Sequence, residues 1–321
     1  MSNTKIKIFA VISCAVLFIL IITGIAATSV EVEEATAATS TQSSSLLNIN
    51  SKPRPIWVLG HRCNNRGDVD KALSHGANGV EIDIRTDRDK GMWIVNHDAY
   101  RPNVSLSLEE YFAFQLKDKQ GFCLLYLDIK TPQYDLNDLQ WQVRNLMKKY
   151  NENFYVIYSV SSIEEAQYFG RCWCKGNEGI NVDHICGKGA KDVIEWNKLC
   201  SQQQWLNSGL GNCWYAHGIC GEGITWTIRL KTGINKGKEF RDGDGIIKKV
   251  GTWTIYNQDT IEDRLLNWNL DWIMCDGGYG DFYFSTEGVK NAKKVLDSNP
   301  ARIRLATMQD ESLQDLSLKL F

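Results

Sequence analysis

The stretch Gly79-Val80-Glu81-Ile82-Asp83-Ile84 sets two carboxylates into an otherwise apolar run. Such a run reads as a strand buried on both faces of a parallel sheet. Side chains alternate across a strand, so Glu81 and Asp83 project to the same side. Two buried carboxylates there are costly unless a cation or a proton neutralises them. Leu124-Leu125-Tyr126-Leu127-Asp128-Ile129-Lys130 repeats the pattern, with Asp128 and Lys130 on one face at the carboxyl end of the run.

Outward from these two runs, short apolar segments alternate with helical patterns from Pro55 onward, the signature of repeated βα units around a parallel sheet. The pattern predicts strands at 56–60, 79–84, 93–96, 124–129, 154–160, 180–183, 204–207, 250–256 and 272–275. Helices are predicted at 68–74, 108–116, 136–149, 190–199, 260–267 and 286–296. The expected fold is α/β, a distorted (β/α)8 barrel with nine strand candidates for eight staves. A chain of 321 residues with 43% hydrophobic content has room for one such domain of about 250 residues, placed here at 53–321 with a C-terminal tail.

Barrels of this kind build their active sites at the carboxyl ends of the strands, so Glu81, Asp83 and Asp128 are expected to converge there. Three carboxylates suit one hard cation, with magnesium the first choice and calcium the second. Gly60-His61 closes the first strand, and Ile94-Val95-Asn96-His97-Asp98 supplies a second histidine. Two imidazoles suit acid and base roles near neutral pH, and Lys130 can screen phosphate charge or hold a carboxylate. Trp253, in Gly251-Thr252-Trp253-Thr254-Ile255-Tyr256, and Asp276, after Trp272-Ile273-Met274-Cys275, are strand-end candidates for substrate contact.

A net charge of -2 gives no broad positive field, which argues against nucleic acid as a partner. Lys5 and Lys7 precede an apolar run at 8–27 that directs the chain to a membrane, as a cleaved signal peptide or as a transmembrane signal anchor spanning 1–29. Either way, the remainder is expected outside the cytoplasm, secreted or tethered. Residues 30–52 read as a disordered Ser/Thr-rich stalk. Ten cysteines fit an oxidising compartment, and Cys172, Cys174, Cys186, Cys200, Cys213 and Cys220 are disulfide candidates with open connectivity. Zinc on that cluster with His184 or His217 is the rival reading, but the spacings match no standard zinc pattern. Asn103-Val104-Ser105 offers Asn103 as a glycosylation site.

From Arg54 to Lys130 the chain resembles the phospholipase D (sphingomyelinase D) family of sicariid spider venoms and its microbial relatives, within the superfamily of PLC-like phosphodiesterase barrels. Gly60-His61-Arg62-Cys63-Asn64 matches a Gly-His-x-x-Asn motif, and residues 76–83 match Gly-Ala-Asn-x-x-Glu-x-Asp. His97 matches the second catalytic histidine and Asp128-Ile129-Lys130 an Asp-x-Lys motif. Weaker likeness continues through 205–213, Trp253-Thr254 and Ala306-Thr307 with Asp310.

The resemblance implies one magnesium ion on Glu81, Asp83 and Asp128, and catalysis by His61 and His97, with acid and base left open. It implies release of choline or ethanolamine from sphingolipids or lysophospholipids at a membrane surface, through a cyclic phosphate, by a monomer. Departures fall at Gly251, where the family has Tyr, at Tyr256, where it has Asp, and in the loop after His97, which lacks the family's cysteines. Two other readings compete. A glycerophosphodiester phosphodiesterase shares the His-Arg and His-Asp pairs seen at 61–62 and 97–98 but has Gly where Cys63 stands. A non-catalytic lipid-binding barrel is prompted by Gly251 and Tyr256.

Overall fold

The apolar residues of the strands separate by parity. Trp57, Leu59, Leu124, Tyr126, Tyr155, Ile157, Trp272 and Met274 form one buried cluster, while Val58, Val80, Ile82, Leu125, Leu127, Val156 and Ile273 join another that includes helix residues such as Val69, Val143 and Val289. A strand buried on both faces produces this division, the first cluster inside the sheet's curve and the second beneath the helices. The computed structural model describes residues 52–87, 89–98, 105–131, 135–161, 165, 174, 176–183, 204–207, 224–243, 247–276 and 284–310.

The strands are β1 (Arg54–Gly60), β2 (Gly79–Asp87), β3 (Met92–Val95), β4 (Leu106–Ser107), β5 (Leu124–Ile129), β6 (Tyr155–Val160), β7 (Glu178–Asp183), β8 (Gln204–Asn207), β9 (Ile247–Ile255), β10 (Trp272–Cys275) and β11 (Ile303–Leu305). Parallel pairing runs β1-β2-β5-β6-β7-β8-β9-β10 and returns from β10 to β1, closing an eight-stranded ring. Described helices span Asp68–Ser74, Leu108–Tyr111 with a π-helical turn at Phe112–Leu116, Leu136–Tyr150, Ile224–Asp242, Gln258–Glu262 with a π-helical turn at Asp263–Asn267, and Glu287–Ser298. The Leu136–Tyr150 helix starts where Asp135 accepts the Asn137 and Asp138 amides and stops at Asn151, whose φ of 56° is left-handed.

The surplus ninth strand has a definite place. The segment predicted at 93–96 is β3, which pairs antiparallel with β2 (Ile84 opposite Val95, Asp87 opposite Met92) and lies outside the ring. The stretch between Asp87 and Met92 is far too short for the crossover that a parallel neighbour needs, so a hairpin is the only available connection. The structure adds the helix Ile224–Asp242 and strands β4 and β11 to the prediction and starts β9 at Ile247. The predicted helix at 190–199 and the targeting and stalk segments lie outside the described residues. Among the described residues, no helix is long and apolar enough to cross a membrane.

Gly251, a departure noted in the sequence, has a packing reason. A Cβ built on it would lie 2.1 Å from the fully buried Trp272 ring on the neighbouring strand, so the indole fills the volume that a side chain at 251 would occupy. Gly251→Ala is therefore expected to overpack the barrel interior and cost about 1–3 kcal/mol or more. Equilibrium urea unfolding checks this, and an unchanged midpoint would refute it.

Candidate active site

Strand parity carries the site. On β1 the inward series Trp57, Leu59 ends in His61, and on β10 Trp272, Met274 ends in Asp276. On β5 the series Leu124, Tyr126 continues to Asp128 and Lys130, and on β2 it contains Glu81 and Asp83. Asp83 is the register partner of Asp128. An apolar floor thus gives way to a polar layer at the carboxyl ends of adjacent strands. One oxygen from each of Glu81, Asp83 and Asp128 can be chosen so that all three lie within 4.8 Å of one another.

Each of these groups is held. Glu81 Oε2 accepts the Arg62 amide at 2.6 Å, while Glu81 Oε1 is buried without a hydrogen-bond partner among the described residues. Asn64 grips Asp83 twice, donating from Nδ2 to Asp83 Oδ2 at 2.6 Å and accepting the Asp83 amide on Oδ1 at 2.9 Å. Lys130 Nζ bridges Asp128 Oδ2 at 2.6 Å and Asp83 Oδ1 at 3.0 Å. Burial, then the nearby Asp83 and Asp128 charges, push the Glu81 carboxyl well above its ordinary value. Burial pushes Asp83 the same way, but Lys130, His97 and the Asn64 hydrogen bond outweigh it and hold that carboxyl down. Burial disfavours charge on Lys130 as well, yet Asp128 and Asp83 more than compensate and raise it.

Three oxygen donors, one of them with an orphaned buried oxygen, are what a hard divalent cation requires, so the residues fit such an ion. The raised Glu81 carboxyl also fixes a sign. The metal-free folded chain retains this proton to a higher pH than the unfolded chain does. Between those values the folded state binds more protons, and this contribution to stability falls as pH rises. A divalent ion replaces the proton, so the gain in Tm on adding magnesium is expected to be larger at about pH 8 than at about pH 5. Thermal melts with magnesium or EDTA measure this, and equal gains at both values would contradict it.

His61 Nδ1 lies 2.7 Å from Asp276 Oδ2, and its Nε2 is 3.8 Å from Glu81 Oε2. Asp276 is only 2% exposed. The first turn of helix Glu287–Ser298 seats it, with the Gly288 amide donating to the Asp276 carbonyl at 3.0 Å. A Cβ on Gly288 would lie 2.5 Å from that oxygen, so glycine permits the approach. His97 Nδ1 contacts Asp98 Oδ1 at 2.9 Å, and His97 Nε2 contacts Arg62 Nη2 at 2.8 Å. A guanidinium only donates, so His97 Nε2 is the acceptor and carries a lone pair, with its proton on Nδ1 toward Asp98. Arg62 makes both of its contacts from a left-handed φ of 53°.

The structure therefore brings His61, His97, Glu81, Asp83, Asp128 and Lys130 together as the sequence predicted. Asp276, a sequence candidate for substrate contact, is placed against His61, where its buried carboxylate orients that ring. Trp253 stands half-buried against the inner cluster. The disulfide expectation is corrected at Cys174, a free thiol buried near Gln140, with Sγ 3.9 Å from Nε2 and its ionisation pushed up to about 12, mainly by burial. Cys172, Cys186, Cys200, Cys213, Cys220, His184, His217 and Asn103 lie outside the described residues. Sequence reading assigned no role in the site to Arg62, Asn64 or Asp98. Their adjacency to His61 and His97 was the available signal.

A family model described as Sphingomyelinase D/Phospholipase D matches residues 51–313. A sphingomyelinase D of Trichophyton rubrum is 25% identical over 273 residues, covering 80% of this chain and 80% of that protein. A dermonecrotic toxin of Loxosceles arizonica is 27% identical over 288 residues, covering 80% of this chain and 92% of the toxin. Among solved structures, a glycerophosphodiester phosphodiesterase from Parabacteroides distasonis aligns with a TM-score of 0.50 at 14% identity, over 77% of this chain and 99% of that one, a likeness of fold alone. With the family model spanning the whole barrel and the acidic triad and both imidazoles in place within it, the chain belongs to the sphingomyelinase D/phospholipase D family.

Proposed function

We propose that this chain is a magnesium-dependent phosphodiesterase that removes the head group of a sphingolipid or lysophospholipid, through attack by the lipid's own hydroxyl, leaving a cyclic phosphate. The observation that carries the reading is the convergence of Glu81, Asp83 and Asp128 with His61 and His97 at one end of the barrel. When bound by the three carboxylates, magnesium supplies Lewis-acid polarisation of a phosphoryl oxygen.

The chain's own residues handle the protons. His97, with its Nε2 lone pair now satisfied by Arg62, is the base that takes the proton of the attacking hydroxyl. His61, placed between Asp276 and Glu81, gives a proton to the departing head-group oxygen. A phosphorus–oxygen bond forms to the lipid hydroxyl as the bond to the head-group alcohol breaks, and the two imidazoles exchange protonation states over the cycle. The same reading places a monomer at a membrane surface outside the cytoplasm, supported by the basic flank and apolar run that open the chain.

Phosphorus NMR of products from sphingomyelin, ceramide phosphoethanolamine, lysophosphatidylcholine and glycerophosphocholine, with magnesium or EDTA, tests the proposal. A cyclic phosphate formed from an acylated lipid only with magnesium is the expected result. Rapid turnover of glycerophosphocholine alone would replace the reading with a glycerophosphodiester phosphodiesterase. A chain inert on all four would remove the enzymatic reading.

A further inference from the structure

One charged group at the mouth of the barrel has no assigned role. Inward parity on β2 runs Glu81, Asp83, Arg85, so Arg85 stands one step beyond the acidic cluster on its face. The Lys130 amide donates to the Ile84 carbonyl at 2.9 Å, which extends the β2–β5 ladder and sets Arg85 beside Lys130. Lys130 is already committed to Asp83 and Asp128. Arg62 is tied through Nη2 to His97. Arg62 Nε is also buried with no hydrogen-bond partner among the described residues, but Arg85 has two such nitrogens, Nε and Nη1, and no contact among those residues that commits it elsewhere.

Desolvated guanidinium N–H groups without a partner are costly, and their natural complement is an anion with several acceptor oxygens. Phosphate meets that description, since a planar guanidinium directs its N–H groups at oxygens in a way that a lysine ammonium does not.

We propose that Arg85 binds the non-bridging phosphate oxygens of the substrate, leaving Lys130 to hold the metal-binding carboxylates. This deepens the phosphodiesterase reading and rests on it for the identity of the substrate, but phosphate binding can be measured without turnover. The full chain loaded with magnesium is titrated with inorganic phosphate by calorimetry, for wild type, Arg85→Gln and Arg85→Lys, and each protein is also titrated with magnesium alone. Turnover of lysophosphatidylcholine is measured in parallel.

Arg85→Gln is expected to weaken phosphate binding by at least about tenfold and to lower kcat/KM by about 10²-fold. Arg85→Lys should recover part of both, and magnesium affinity should stay at the wild-type value in each variant. Should wild type turn over lipid while Arg85→Gln matches it in phosphate affinity and kcat/KM, the Arg85 assignment is overturned and the activity stands. Should wild type bind phosphate through Arg85 yet release no head group, the activity is overturned and the anion site stands. A loss of magnesium affinity in both variants would also overturn the assignment, because it would make Arg85 a structural support of the acidic cluster.

Discussion

His61→Asn and His97→Asn are each expected to lower kcat by about 10²–10⁴-fold on a natural lipid, the range for loss of a positioned acid or base. They should then diverge on a lysophospholipid analogue whose head-group alcohol is replaced by p-nitrophenol. That leaving group departs as a stable phenolate, so an enzyme lacking its acid is relieved of most of its deficit. On the proposed assignment the acid is His61, between two carboxylates, and the base is His97, whose Nε2 accepts from Arg62. His61→Asn should therefore recover most of its lost rate on the analogue, and His97→Asn should not. The opposite pattern would exchange the two roles, and equal recovery would dissolve the division of labour.

The second large effect is expected at the carboxylates, and two isosteric changes separate charge from scaffolding. Glu81→Gln should abolish the rise in Tm on adding magnesium and lower kcat/KM by about 10³-fold, because several kcal/mol of transition-state charge stabilisation depends on the bound ion. In EDTA it should melt no lower than wild type, since the change removes a buried acid that had an unpartnered oxygen. Asp83→Asn should lose as much activity and also melt lower in EDTA. There the carboxylate is the partner of Lys130 and of the Asn64 amide, and an Asn would leave both donors poorly matched. Metal titration by calorimetry and paired thermal melts decide between these outcomes, and identical behaviour of the two variants in EDTA would contradict the account.

The ring and the acidic cluster were legible in the sequence for one reason: buried parallel strands advertise themselves as apolar runs, and a charged residue inside such a run has few explanations. Glu81, Asp83 and Asp128 stand out on that ground alone. What the sequence concealed was pairing. The 93–96 segment has the composition of a stave, and only the short link from Asp87 reveals a hairpin. Helix Ile224–Asp242 escaped because Gly233, Gly237 and its threonines interrupt the helical pattern. Gly251 resembled a loss because a linear comparison cannot see that the Trp272 ring fills the space beside it.

The hairpin has a further consequence. Asn96 and His97 follow directly on β3, which lies outside the closed ring, whereas His61 stands at the end of a stave. Amides of β3 and β4 should exchange with deuterium sooner than those of β5 and β6, because two short antiparallel ribbons open at less cost than an enclosed wall. One of the two histidines is thus mounted on the ring and the other on the hairpin beside it. That hairpin could be lengthened, shortened or retilted without disturbing the strands that carry Glu81, Asp83 and Asp128.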